Sequence, residues 1–144
     1  MYCAKAEEVI PKLPDACIGT IVLDAPFSTT HDAITALRRL LKPNGKVLVL
    51  GRKDYMILPD GCAIWQNFPE ISPKAQYGHP NVRPLEPMCE LLKMCEVDPV
   101  FDPYMGTGTT LVAARLLGRE AIGIEQNRSD CETSVKRLKE CSQQ

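Results

Sequence analysis

The chain has 144 residues, 44% of them hydrophobic, with 17 Lys and Arg against 18 Asp and Glu. That is one domain's worth of chain with enough apolar content to bury a core, and its near-zero net charge excludes a strongly basic nucleic-acid module while leaving room for a local basic patch. No apolar run approaches the ~18 residues of a membrane span, and the start turns acidic at Glu7 and Glu8 without an apolar signal core, so no membrane association and a cytoplasmic location are expected.

Tyr2-Cys3-Ala4 reads as a short first strand, and residues 6–13 as a helix ended by Pro14. Thr20-Ile21-Val22-Leu23 is a β-branched apolar run that stops at Asp24, with Pro26 opposing continuation. Thr30 can cap a helix to about residue 41, Lys42-Pro43-Asn44-Gly45 makes a turn, and Lys46-Val47-Leu48-Val49-Leu50 is a buried strand closed by Gly51. From 52 to 82 the pattern is irregular and punctuated by proline, with a strand around Cys62-Ala63-Ile64-Trp65. A helix over 85–94 follows, apolar at Leu85, Met88, Leu91 and Leu92. Val100-Phe101 forms a strand leading to a glycine-rich turn and a helix over 109–117; Ala121-Ile122-Gly123-Ile124 is the last strand, and Asn127 caps a final helix to about Glu140. Short apolar strands alternating with helices predict an α/β fold around a mostly parallel sheet, in one domain over 1–144. The 7 cysteines are scattered with no C-x-x-C pair, which argues against a disulfide framework or a metal site and for a reducing compartment.

The most informative segment is Phe101-Asp102-Pro103-Tyr104-Met105-Gly106-Thr107-Gly108-Thr109-Thr110. Two glycines between a strand and a helix permit a tight turn and a close approach to a ligand, and Glu125, 17 residues after Gly108, lies about where a nucleotide-binding β-α-β unit places its ribose-binding acid. A glycine turn that only shapes the fold explains the G-x-G equally well. A phosphate loop does not, because no Lys-Ser/Thr follows the second glycine.

The run from Asp102 to Glu125 closely resembles the S-adenosylmethionine loop of amino-directed DNA methyltransferases, the N6-adenine and N4-cytosine enzymes, whose form is roughly D-P-F-x-G-S-G-T-T, a helix, then G-I-E. Asp24-Ala25-Pro26-Phe27 resembles the same family's catalytic D-P-P-Y/F tetrapeptide, and His79-Pro80-Asn81-Val82-Arg83-Pro84-Leu85 its H-P-T-x-K-P-L segment. The resemblance implies a Rossmann-like methyltransferase fold with helices on both faces of the sheet, circularly permuted because the catalytic motif precedes the cofactor loop. It implies S-adenosyl-L-methionine as cofactor, held by Asp102, Pro103, Tyr104, Met105, Gly106, Thr107, Gly108, Thr109 and Thr110. Glu125 would bind the ribose hydroxyls with Gln126 beside it, and His79, Pro80 and Asn81 would lie by the methionine end. Asp24 and the carbonyl of Ala25 would accept the amino hydrogens of a base flipped out of DNA, on which Phe27 stacks.

Three departures shape the expectation. Ala25 replaces the first proline of the tetrapeptide, leaving that loop less preorganised. Lys5 stands where the family has an aspartate near the adenine of the cofactor. The stretch between Gly51 and His79 is too short for a separate target-recognition domain; its charges Arg52, Lys53 and Lys74 read first as a solvated surface, with phosphate contact as the alternative. The expected activity is methyl transfer to DNA, with adenine N6 favoured by Asp rather than Ser at position 24, and with a homodimer as a route to more DNA contact. The alternative is a catalytically silent methyltransferase-like module that binds cofactor, nucleic acid or a partner subunit.

Overall fold

The computed structural model describes residues 1–24, 36–51, 64–66 and 82–141. Its six strands are β1 (Tyr2–Cys3), β2 (Ile18–Leu23), β3 (Leu41–Gly51), β4 (Ile64–Gln66), β5 (Val100–Asp102) and β6 (Ala121–Glu125), in the spatial order β1-β6-β5-β2-β3-β4. Every pairing among them is parallel. The helices described from end to end are α1 (Ala6–Val9), α2 (Leu85–Lys93), α3 (Thr109–Leu116) and α4 (Arg128–Glu140).

A parallel sheet is covered on both faces, so its central strands are apolar throughout rather than alternating with polar residues. Here β2 is buried along its whole length. Alternate residues serve opposite layers: Ile21, Leu23, Val47, Val49 and Phe101 pack with Ala6, Val9, Leu37 and Leu40 on one face. Val22, Leu48, Leu50 and Val100 pack on the other with Met88, Leu91 and Leu92 of α2 and Ala113 and Ala114 of α3. Cys95 is buried in that second layer with Cys89 packed against it, both serving as core. Helix α4 packs through Cys131 against Met105 and Leu111.

The sheet has its switch point between β5 and β2. From β5 the chain moves through α3 to β6 on one side, whereas β2 leads to β3 on the other. Thr20 pairs with Val100 and Ile21 with Phe101, so Asp24 and Asp102 leave adjacent strands at one carboxyl edge. Ligands of open α/β sheets bind in the crevice at such a point.

At the opposite edge Arg119 fastens the connections. It donates through Nε to Asp98 Oδ1 at 2.6 Å, through one terminal nitrogen to the Leu92 carbonyl at 2.7 Å, and through the other to the Val97 carbonyl at 3.0 Å. The Thr20 hydroxyl donates to the same Val97 carbonyl at 2.8 Å. A side chain on Gly19 would collide with that carbonyl, so β2 and the lead-in to β5 approach closely only because residue 19 is glycine.

Three expectations change. Helix α1 ends at Val9 and the chain tightens into a 3-10 turn over Ile10–Lys12; Pro11 has no N–H with which to continue an α-helix. The helix expected to reach 41 stops at 38 within the described residues, and Leu41 already belongs to β3, paired with Ile18. Lys42-Pro43-Asn44-Gly45 is therefore no separate turn but an irregularity inside β3: the register steps from Ile18–Leu41 to Thr20–Lys46, with Asn44 at φ 65 absorbing the extra residues. In the irregular stretch, β4 covers Ile64–Gln66 of the strand expected there; residues 62 and 63, Arg52, Lys53 and Lys74 lie outside the described residues.

Candidate active site

Asp102 ends β5 and is 3% exposed. Its Oδ1 accepts the Tyr104 N–H at 3.0 Å, which folds the chain back at Pro103. Burial pushes this carboxyl up from 3.8 to about 7; hydrogen bonds from the Thr110 side chain and the Tyr104 backbone oppose the shift, while the charges of Asp24 and Glu125 add to it. The turn is then closed by backbone: Met105 N–H donates to the Ile124 carbonyl at 3.0 Å and Gly108 N–H to the Met105 carbonyl at 2.8 Å.

Gly106 and Gly108 lie in the left-handed region, at φ 52 and 81, where a side chain is strained. Their surroundings differ. A Cβ on Gly108 would collide with Ser134 of α4, whereas one on Gly106 would meet nothing within 4 Å. Gly108 is the packed glycine and Gly106 the open one. Gly123 plays a third part: a Cβ there would collide with Met105 and Leu111, so the loop settles on β6 because residue 123 has no side chain.

Met105, Thr107, Thr109 and Thr110 are all buried, so around Gly106 the loop turns backbone, not side chains, outward. Glu125 ends β6 beside it, with Oε2 accepting the Gly106 N–H at 3.0 Å and Oε1 the Asn127 N–H at 2.8 Å. Asn127 caps α4 as expected, its side chain accepting from the Ser129 N–H. Gln126 and Lys5 are exposed at this edge, Lys5 following β1.

Beneath the loop lies Arg137, 6% exposed. One of its terminal nitrogens donates to the Thr107 carbonyl at 2.8 Å, the Thr107 hydroxyl at 3.2 Å and the Thr109 hydroxyl at 3.1 Å. Sequence reading passed over it, although Asp130, Cys131, Ser134 and Arg137 are the buried positions of α4 and share a helical face. That spacing is the signal that could have found it.

Asp24 follows β2 and meets Arg83, which lies just before α2. Arg83 Nε donates to Oδ2 at 2.7 Å and a terminal nitrogen to Oδ1 at 2.6 Å, a two-pronged ion pair with both side chains about a quarter exposed, 22% and 27%. The Asp24 contact holds the guanidinium pKa above its ordinary value, against the opposing effect of burial. The sequence did not suggest this pair. Ala25, Pro26 and Phe27 of the tetrapeptide, His31 after it, and His79, Pro80 and Asn81 lie outside the described residues.

The edge thus gathers Asp24, Asp102 and Glu125, close enough for the outer two to raise the pKa of the middle one. Of the described basic side chains there, Arg83 is paired with Asp24, Arg137 lies on the inner side of the loop, and Lys5 is exposed at the rim. An open glycine backbone among carboxyl groups fits a ligand that offers hydroxyls and positive charge, and disfavours a polyphosphate. Among the described residues no group of three His, Cys, Asp or Glu side chains is arranged to hold a metal ion, and no helix is long and apolar enough to cross a membrane.

Residues 53–136, more than half of the chain, match the sequence profile of the N6/N4 DNA methylases, described as DNA methylase. The chain belongs to this family. The matched span contains Arg83, the glycine loop and Glu125 and begins after Asp24. Among curated relatives, 43 residues are 49% identical to the Type II methyltransferase M.HinfI of Haemophilus influenzae, covering 30% of this chain and 12% of that protein. A stretch of 69 residues is 41% identical to the orphan methyltransferase M.BamHII of Bacillus amyloliquefaciens, covering 46% and 26%. The chain therefore matches about a quarter or less of the length of these relatives.

The fold is shared more widely than the sequence. The M1.HpyAVI–SAM complex superposes with a TM-score of 0.72 at 21% identity, over 95% of this chain and 97% of that one. TTHA0409 from Thermus thermophilus, complexed with S-adenosyl-L-methionine, gives 0.65 at 19% identity over 97% and 94%. The fold is thus that of this family: a Rossmann-like parallel sheet with helices on both faces.

Proposed function

We propose that this chain is an S-adenosyl-L-methionine-dependent DNA methyltransferase that methylates the exocyclic amino group of a flipped base, with adenine N6 as the target. The observation that carries the reading is the juxtaposition at the switch point: the Asp24 carboxylate ends the strand next to the one that ends in the glycine loop. Family membership and the acidic, open-backbone loop support the cofactor. When bound, it supplies an electrophilic methyl group on a cationic sulfur.

An exocyclic amino group is a weak nucleophile because its lone pair is delocalised into the ring. Asp24 would accept one amino N–H and the carbonyl of Ala25 another, drawing the lone pair toward the methyl group. The bound cofactor would supply the methyl group and its sulfur would keep the bonding electrons, while the amino nitrogen would give up one proton to solvent. Rate comes from orientation and charge placement more than from a strong base. Glu125 suits the ribose hydroxyls as an acceptor, and the carboxyl groups together favour the cation. Asp at position 24 supports adenine over N4-cytosine, and the tetrapeptide preceding the loop supports the permuted motif order. DNA as substrate, a homodimer and the cytoplasm as location belong to the same proposal.

A silent module is the competing reading, supported by Arg83 occupying both oxygens of Asp24 and by Ala25. One experiment separates them: calorimetric titration with S-adenosyl-L-methionine, then tritiated-methyl transfer to unmethylated genomic DNA with nucleoside analysis of the product. Binding with label in N6-methyladenine is expected. Binding without transfer favours the module, label in N4-methylcytosine overturns the adenine assignment, and no binding overturns the cofactor.

A further inference from the structure

Arg83 occupies the position where the family's H-P-T-x-K-P-L segment has lysine, and the difference matters at Asp24. A guanidinium is a planar fork that fixes the plane of a carboxylate through two parallel bonds, whereas an ammonium is a point charge that leaves the carboxylate free to turn. Both bonds are present here, at 2.6 and 2.7 Å. Each carboxylate oxygen has a second acceptor direction, so the pair restricts Asp24 without exhausting it.

The fork is itself anchored. The Arg83 carbonyl accepts the Thr109 hydroxyl at 3.2 Å, and that hydroxyl accepts from the buried Arg137 at 3.1 Å. A threonine hydroxyl can donate and accept at once, so the two contacts coexist. A hydrogen-bonded line thus runs from α4, through the first residue of α3, to the carboxylate at the end of β2.

We infer that Arg83 is a positioning residue: it aims the Asp24 carboxylate at the amino group of the target base and, through Thr109, keeps that aim in register with the glycine loop. The inference rests on the methyltransferase reading, because it assigns Asp24 the amino group as its partner. Arg83 acts on the reaction only through Asp24, so its loss should lower kcat and spare cofactor binding. A misplacement of about 1 Å costs on the order of 100-fold in rate.

The test compares wild type with Arg83→Gln and Arg83→Lys in methyl transfer, in S-adenosyl-L-methionine affinity by calorimetry, and in thermal melting. Arg83→Gln should lower kcat by about 10- to 100-fold with cofactor affinity within about twofold, and Arg83→Lys should recover part of the loss. A kcat for Arg83→Gln within about twofold of wild type overturns the inference, as does a parallel fall in kcat and cofactor affinity, which a merely structural role predicts. Absence of transfer by the wild-type chain defeats the functional reading instead. The clamp is then decided by a thermal double-mutant cycle of Asp24→Asn and Arg83→Gln: non-additive melting shifts support it, and additive shifts overturn it.

Discussion

Asp102 is the residue whose chemistry the fold alters most. Its carboxyl, raised from 3.8 to about 7, holds its proton more tightly folded than unfolded. Its contribution to stability is therefore fully present below the ordinary carboxylate range and is lost as pH rises toward 7. Asp102→Asn, which can still accept from Tyr104 and donate toward Thr110, should flatten the fall in Tm between pH 4 and 7 and raise Tm at pH 8, by roughly 3 °C per kcal/mol recovered. The same carboxylate favours a cationic cofactor once ionised, so wild-type affinity for S-adenosyl-L-methionine should rise between pH 6 and 8 and the variant's should stay flat. Melting curves and calorimetry across that range check both. A Tm difference between wild type and Asp102→Asn that stays constant from pH 4 to 8 would show that Asp102 ionises normally. Asp24 differs, being partly exposed and already paired. Asp24→Ala should abolish transfer and leave cofactor binding within about twofold, since the loop is built from other residues; equal loss of both, read by the same two assays, would make Asp24 a cofactor or structural residue.

At the scale of elements, the sheet was legible because its signals are local. β2 and the regular part of β3 read as apolar runs, α4 announced itself with an Asn cap, and Asp24 and Asp102 marked the ends of their strands. What was not legible depends on contacts between distant segments. The Arg83–Asp24 pair spans 59 residues and the Arg137–Thr107 contact 30, and no spacing rule reaches so far. The Lys42–Gly45 stretch was expected to be a turn, but pairing with β2 on both sides of it makes it an irregularity within a strand. Arg137 also bears a prediction, because it makes the glycine loop one body with α4. Arg137→Ala would strand the Thr107 carbonyl and hydroxyl in a buried place, at a cost of about 2–4 kcal/mol. It should also weaken cofactor binding by loosening the turn around Gly106. Chemical denaturation with calorimetry tests this; an unchanged midpoint would show that Thr107 and Thr109 need no clamp.

At the scale of the molecule, charge bounds how the chain can meet DNA. With 17 basic against 18 acidic residues, and with Asp24, Asp102 and Glu125 grouped at the proposed active edge, the described part of that edge is acidic and offers little for phosphate neutralisation. Three of the described arginines near the sheet edges are spent internally: Arg83 on Asp24, Arg119 on Asp98, Arg137 on the glycine loop. Each phosphate neutralised contributes about −0.9 to the slope of log affinity against log salt. A chain of this composition should make few such contacts, giving a slope of roughly −2 to −4 per protomer and weak binding above about 200 mM salt. If a homodimer forms on DNA, the slope per complex should double while sedimentation shows two chains bound. Filter binding from about 50 to 200 mM salt measures the first quantity. A slope near −10 for a single bound chain, of the size about ten phosphate contacts produce, would overturn this expectation. The site would then have to be read as strongly steered by charge rather than by base flipping into an acidic pocket.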